Sequence, residues 1–222
     1  MRVLGIETST RRGSVAVFDG DKVTGALAHE EPNAHAERLL SLIELLLGEL
    51  GHTRSSLDRI AVGVGPGSFT GLRVGIALAQ GIALGLDRPL VGLGSLAALA
   101  HAAPAGEARV RVPVLDARRG ELFIGAYAPD GRELLAPTAV PVAETAGFLR
   151  ASLADQVVLI GEAARLVGSG FDVLAGGELD LPHASTVARV GATLDPATAS
   201  SEPVYVRGPG ATPQNLPPSP LG

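Results

Sequence analysis

The feature that most constrains this chain is residues 61–86, AVGVGPGSFTGLRVGIALAQGIALGL. The apolar, β-branched run at 60–64 predicts a buried strand. Gly65-Pro66-Gly67 breaks it, because glycine permits a tight turn and proline fixes φ. Ser68 or Thr70 then offers a cap for a helix over 71–86, apolar nearly all round. A strand, a glycine-rich turn and a capped helix N-terminus favour a bound phosphate or other anion. A tight strand-to-helix connection without a ligand carries the same signature, so this stretch constrains the fold more than the function.

Before it, residues 3–7 predict a strand that ends in Glu7 and the polar turn Thr8-Ser9-Thr10. Arg11-Arg12-Gly13 leads into a second strand at 14–18. The hairpin signal Asp19-Gly20 leads into a third at 22–29. A helix follows over 33–50, with Asn33 as its cap. Leu39, Ile43, Leu46 and Leu50 line one side, flanked by Leu40, Leu47 and Leu42. That arc is wider than the ~100° of an ordinary surface helix. Either the helix is wedged between two layers, or part of its face meets another protein.

The helix over 71–86 carries Gly71 and Gly75 four apart, and Gly81 and Gly85 four apart. Each glycine costs about 1 kcal/mol against alanine inside a helix, so four call for a reason. One row is expected to pack on the sheet and the other to admit another helix. A strand at 89–93 and a short helix at 95–102 complete the first half, and Ala103-Pro104-Ala105-Gly106 marks the division.

The pattern then returns. Residues 110–116 form a strand ending in Asp116, Arg118-Arg119-Gly120 repeats the earlier turn, and 122–127 is the next strand. Pro129-Asp130-Gly131 repeats the hairpin signal, a helix covers 142–153, and 156–160 after Asp155 echoes 60–64 after Asp58. A last helix covers 183–194 and an extended segment 202–207. The expected organisation is an α/β protein of two βββαβα-type lobes with mixed sheets, 1–103 and 107–207. A disordered Pro/Gly-rich tail is expected at 208–222. Glu7 and Asp116 hold equivalent places, and ligands in such folds favour the cleft between halves.

Composition narrows the chemistry. The net charge is −5 and no basic run occurs, which argues against this chain gripping nucleic acid alone. Cysteine is absent, excluding disulfides and thiolate metal sites. The N-terminus lacks the pattern of a leader, and 71–86 is short, glycine-rich and interrupted by Arg73, so a cytoplasmic protein off the membrane is expected. His29, His35, His52, His101 and His183 show no metal-ligand spacing. The loop 65–71 lacks the Gly-Lys-Ser/Thr of a P-loop and has Thr70 where a dinucleotide fingerprint needs glycine.

Four ordered words carry a resemblance: Gly5-Ile6-Glu7-Thr8-Ser9, His35-Ala36-Glu37-Arg38-Leu39-Leu40, Gly65-Pro66-Gly67-Ser68-Phe69-Thr70-Gly71-Leu72-Arg73 and Leu115-Asp116-Ala117-Arg118-Arg119-Gly120-Glu121. With Tyr205-Val206-Arg207 near the end, the chain resembles the TsaB (YeaZ) family of tRNA threonylcarbamoyladenosine biosynthesis over residues 1–207. The resemblance implies a duplicated actin-like ATPase (ribonuclease H-like) fold. It also implies a non-catalytic scaffold that binds the transferase TsaD as a heterodimer joined by the ATPase TsaE, touching tRNA only through the complex. A homodimer through the same helices is the alternative assembly.

In the transferase, two histidines four apart bind the catalytic metal. The corresponding positions here are Ser95 and Leu99, so no catalytic or metal residue is expected. The expected partner interface is His35, Arg38, Leu39, Leu42, Leu46, Leu72, Arg73, Gly75, Ile76 and Ala79. The expected nucleotide or phosphate loop is Glu7, Thr8, Ser9, Gly65, Gly67, Ser68, Thr70 and Gly71, with no resident cofactor or with ATP or ADP at the partner contact. Glu7 and Asp116 either hold a metal–nucleotide or cap their own loops. The rival function is an autonomous actin-fold ATPase or kinase.

Overall fold

Residues 1–31, 34–153 and 156–206 are described in the computed structural model. Asn33, Asp155, Arg207 and the 208–222 tail lie outside the described residues. The first lobe is built from β1 (Arg2–Glu7), β2 (Gly13–Asp19), β3 (Lys22–His29), α1 (His35–Glu49), β4 (Arg59–Gly63), α2 (Phe69–Leu86), β5 (Leu90–Leu93) and α3 (Ser95–His101). The second contains β6 (Val110–Arg118), β7 (Glu121–Tyr127), β8 (Glu133–Pro141), α4 (Val142–Ser152), β9 (Val157–Ile160), β10 (Asp172–Leu174) and α5 (Ala184–Gly191).

The first sheet has the order β3-β2-β1-β4-β5 and the second the order β10-β9-β6-β7-β8. In each, a three-stranded antiparallel meander continues into two parallel strands. The repeat read from sequence is therefore the repeat of the fold. The second copy is reduced: where the first lobe has α2, the second has a four-residue 3-10 turn at Ala164–Val167. Strand β10 has only three residues and escapes a sequence reading.

Apolar burial explains the layers. Leu4, Ile6, Val15, Ile60 and Val62 meet Leu39, Ile43, Leu46, Leu72 and Ile76, so α1 and α2 cover one face of the first sheet. The opposite face, with Val3, Ala16, Ala61 and Val91, is covered by α5 through Ala184, Val187 and Ala188. In the second lobe α4 covers the outer face. Its inner face, with Leu115, Phe123 and Ile160, meets Leu96 and Leu99 of α3.

The two lobes thus exchange helices. Helix α5 follows the second lobe's strands in the chain yet packs on β1, β2 and β4. Helix α3 follows the first lobe's strands yet packs on β6 and β7. A division of the chain at 103 and 107 separates the strands of the two sheets but assigns α5 to the lobe it does not cover. Ser14 Oγ accepts from Ala184 N at 3.0 Å, fixing the start of α5 on β2.

Helix α2 is long and apolar enough, by length and composition, to cross a membrane. Here one side of it packs into the lobe, with Leu72, Gly75, Ile76, Ala79 and Ala83 turned inward, and the other side is exposed. Its N-cap is Ser68, whose Oγ accepts from Gly71 N at 3.2 Å.

Candidate functional site

Between the lobes lies a cleft of about 840 Å³, bounded by the β1–β2 loop, the N-terminus of α2, the β6–β7 turn and the segment 204–206. The sequence places Glu7 at the end of β1, where an actin-like site would use a carboxylate on a metal–nucleotide. The folded protein turns that carboxylate inward. Glu7 is fully buried, its Oε1 accepts from Ser9 N at 2.6 Å, and its Oε2 accepts from Ser95 Oγ at 3.2 Å. It lies against Gly63, where any Cβ would collide with its oxygens. Burial pushes its carboxyl above the usual range, opposed by the bonds from Ser9 and Ser95.

Ser95 ties this corner together. Its backbone N donates to Gly65 O at 2.7 Å, and its Oγ accepts from Gly65 N at 3.2 Å. The residue at the position corresponding to the transferase's first metal ligand is thus a buried junction between the glycine loop and Glu7. Leu99, at the second, is buried among Leu115, Phe123 and Ile160. Among the described residues no group of three or more His, Asp or Glu side chains could hold a metal ion.

Asp116 also serves its own loop. Its Oδ1 accepts from Arg118 N at 2.7 Å, supporting a turn in which Arg118, Arg119 and Gly120 have φ of 63°, 57° and 76°. Both carboxylates thus accept a backbone N–H of their own loop, Glu7 buried and Asp116 exposed in the cleft. Arg11, Arg118 and Arg119 also line the cleft with Asp116 and Glu162, and Arg118 pairs with Asp116 at 3.3 Å. Arg11 forms an ion pair across the lobes with Glu162.

The loop residues come together as expected, but several are committed to packing. Thr8 Oγ1 donates to Gly71 O at 2.8 Å, and Thr8 sits directly over Gly75. Gly67 lies against the Ser9 carbonyl, and Ser68 N donates to that oxygen at 2.7 Å. Ser9 is buried, whereas Ser68 and Thr70 are exposed at the mouth. The row Gly71–Gly75 therefore seats α2 on the β1–β2 loop. The row Gly81–Gly85 has nothing near it and faces solvent.

This corrects the expected partner interface. Leu39, Leu46, Leu72, Gly75, Ile76 and Ala79 are buried inside the first lobe. A partner cannot reach them, because the sheet already holds these sides of α1 and α2. Leu42 and His35 are half-buried, and only Arg38 and Arg73 of the set are exposed. Arg38 pairs with Glu31 at 2.9 Å. Arg73 lies 3.8 Å over the Phe69 ring and its Nε donates to Tyr205 Oη at 3.4 Å. The Phe69 and Tyr205 rings are 5.3 Å apart, and Val204 N donates to Val64 O at 2.7 Å, so the C-terminal segment straps the glycine loop.

The solvent side of the helix pair instead presents Leu40, Leu45 and Leu84, which are 45%, 52% and 85% exposed. Ala77, Gly81 and Gly85 are exposed beside Leu84. Sequence reasoning singled out the two glycine rows and expected one of them to admit another helix, but it could not tell which row faced the sheet, so the interface it named took Gly75 and left out Gly81, Leu84 and Leu45.

Residues 24–169 match the protein-family model described as TsaD, tRNA N6-adenosine threonylcarbamoyltransferase. The tRNA threonylcarbamoyladenosine biosynthesis protein TsaB of Escherichia coli K12 is 33% identical, with 93% of this chain and 95% of that protein aligned. YeaZ from Pseudomonas aeruginosa superposes with a TM-score of 0.74 at 29% identity, covering 92% of this chain and 99% of that one. The fold alone is shared with the activator of 2-hydroxyisocaproyl-CoA dehydratase from Clostridium difficile, at a TM-score of 0.52 and 11% identity over 86% and 94% of the two chains.

Proposed function

The chain belongs to the TsaB family of tRNA threonylcarbamoyladenosine biosynthesis, with an actin-like ATPase-type fold, and on that premise we propose that it is a non-catalytic scaffold binding the transferase TsaD. The observation that carries the reading is the outward face of α1 and α2. Leu84 stands there in solvent beside Ala77, Gly81 and Gly85 of α2, small residues that let a second helix pair approach closely, and Leu40 and Leu45 are exposed on α1. TsaD is the partner, TsaE joins the pair, a second copy of this chain competes for the same face, and tRNA is met only through the complex, in the cytoplasm. The non-catalytic part is supported by Glu7, whose two oxygens are both engaged within the protein, and by Ser95 and Leu99.

The test is Leu84→Glu, an exposed change expected to leave stability within about 0.5 kcal/mol. It should abolish co-purification with TsaD and deplete threonylcarbamoyladenosine in tRNA when it is the only copy in the cell. Normal modification with an intact complex would refute the scaffold.

A second reading, ATP or ADP in the cleft, with or without turnover, is favoured by the cleft volume and the arginines that line it. Calorimetry of the purified chain with ATP·Mg separates the two. Tight binding with hydrolysis supports an autonomous ATPase, and neither is expected where Glu7 is buried away from the cleft, Asp116 holds its own loop and Glu162 pairs with Arg11.

A further inference from the structure

His29 closes β3 and His35 opens α1, and the fold brings their rings together edge to face with centroids 5.0 Å apart. His35 Nδ1 lies 3.2 Å from His29 Nε2, and His35 Nε2 lies 3.0 Å from the Thr10 carbonyl oxygen. A carbonyl only accepts, so His35 carries its proton on Nε2. Its Nδ1 is then bare and accepts from His29 Nε2. That leaves His29 Nδ1 bare as well, and it is buried with no partner among the described residues.

One further proton has no good place in this arrangement. On His29 Nδ1 it makes a buried donor without an acceptor, at a cost of roughly 1–3 kcal/mol. On His35 Nδ1 it sets N–H against N–H, unless His29 changes tautomer and again carries its proton on buried Nδ1. The rings cannot slide towards β2, because Gly13 lies against both and has no room even for a Cβ. Burial first, and His35 second, hold His29 below the ordinary imidazole range.

The charged groups around the pair are balanced. Glu31 favours the proton and Arg38 opposes it, and the two are paired with each other. From the β1–β2 loop Arg11 and Arg12 both engage Glu30.

The pair holds something of consequence. The N-cap of α1 is Ala34, with no side-chain cap bond, so the bond from His35 to Thr10 ties the first turn to the cleft loop in its place. We propose that the His29–His35 pair is a proton-sensitive latch on the first turn of α1, and that acidification through the histidine range weakens binding of the partner at the α1–α2 face. The second clause rests on the reading that TsaD docks there.

Hydrogen exchange of the full chain at pH 7.5 and 5.5 tests the latch, with protection corrected for intrinsic rate, in the parent and in His29→Gln. Glutamine keeps a donor near the position of Nε2 and does not titrate. The parent is expected to lose protection at Arg38–Leu40 about tenfold on acidification, equivalent to one pK unit, and His29→Gln to lose none. Affinity for TsaD should fall by a similar factor in the parent only. Equal protection of the parent at both pH values, or the same loss in His29→Gln, overturns the latch. If TsaD binds neither protein at any pH, the partner reading fails while the exchange data still decide the latch. Histidine titration by NMR of the parent needs no variant: two independent titrations near pH 6.5 refute the pair, and coupled titration moving the α1 amides supports it.

Discussion

Two glycines in one helix should respond to the same substitution with opposite signs. Gly75 lies beneath Thr8, and Gly81 faces open solvent. A methyl at Gly75 meets Thr8 Oγ1 and, at 3.2 Å, its Cβ and Cγ2, so Thr8 must move and surrender its 2.8 Å bond to Gly71 O. Overpacking of this kind costs about 1–3 kcal/mol, and losing a buried hydrogen bond costs about 1–3 kcal/mol. Alanine in place of glycine returns about 1 kcal/mol of helix propensity. Gly75→Ala should therefore destabilise by about 1–5 kcal/mol, lowering Tm by roughly 2–20 °C at this chain length. Gly81→Ala meets nothing and keeps only the propensity gain, raising Tm by about 2–4 °C. Urea unfolding followed by circular dichroism, supported by thermal scans, measures both. A Gly75→Ala protein as stable as the parent, or a Gly81→Ala protein less stable, would refute the assignment of the two rows.

Two further outcomes follow from the cleft. The Glu7 carboxyl is raised on folding, so its contribution is fully present below the unfolded value of about 4.5 and is lost as pH rises through the folded value. Glu7→Gln should remove that loss, gaining stability over the parent as pH rises above about 4.5, read as Tm against pH; parallel profiles would show that the buried carboxyl does not titrate this way. Tyr205→Ala removes its contacts with Phe69 and Arg73, and an aromatic pair of this kind is worth about 0.5–1.5 kcal/mol. Hydrogen exchange of Val204 should quicken while the strands of the first sheet keep their protection, and unchanged exchange would show that the strap is held elsewhere.

Much of the architecture was legible because apolar runs and turn residues punctuate it. Strand β3 spans the residues its pattern predicts, and Ser68 caps α2 as its position suggests. The repeat showed through Glu7 and Asp116, the first at the end of β1 and the second two residues before the end of β6. What stayed hidden depends on direction. Leu39 and Leu84 are alike in the sequence, but one is inside the lobe and the other stands in solvent, because only the sheet decides which arc of a nearly uniform helix is used. Ser95 reads as a lost ligand position, and its role as a junction emerges only when β1, the glycine loop and α3 meet. His29 and His35 are six apart with no recognised spacing, and the bend between β3 and α1 makes them neighbours.

The exchanged helices set a timetable for synthesis. The first sheet is complete once β5 leaves the ribosome, but the face formed by Val3, Ala16 and Ala61 waits for α5. About 90 residues separate Leu93 from Ala184, on the order of 5–20 s of elongation. Throughout that interval a finished sheet shows an apolar face to the cell. A nascent chain of this kind cannot cover that face until α5 itself emerges.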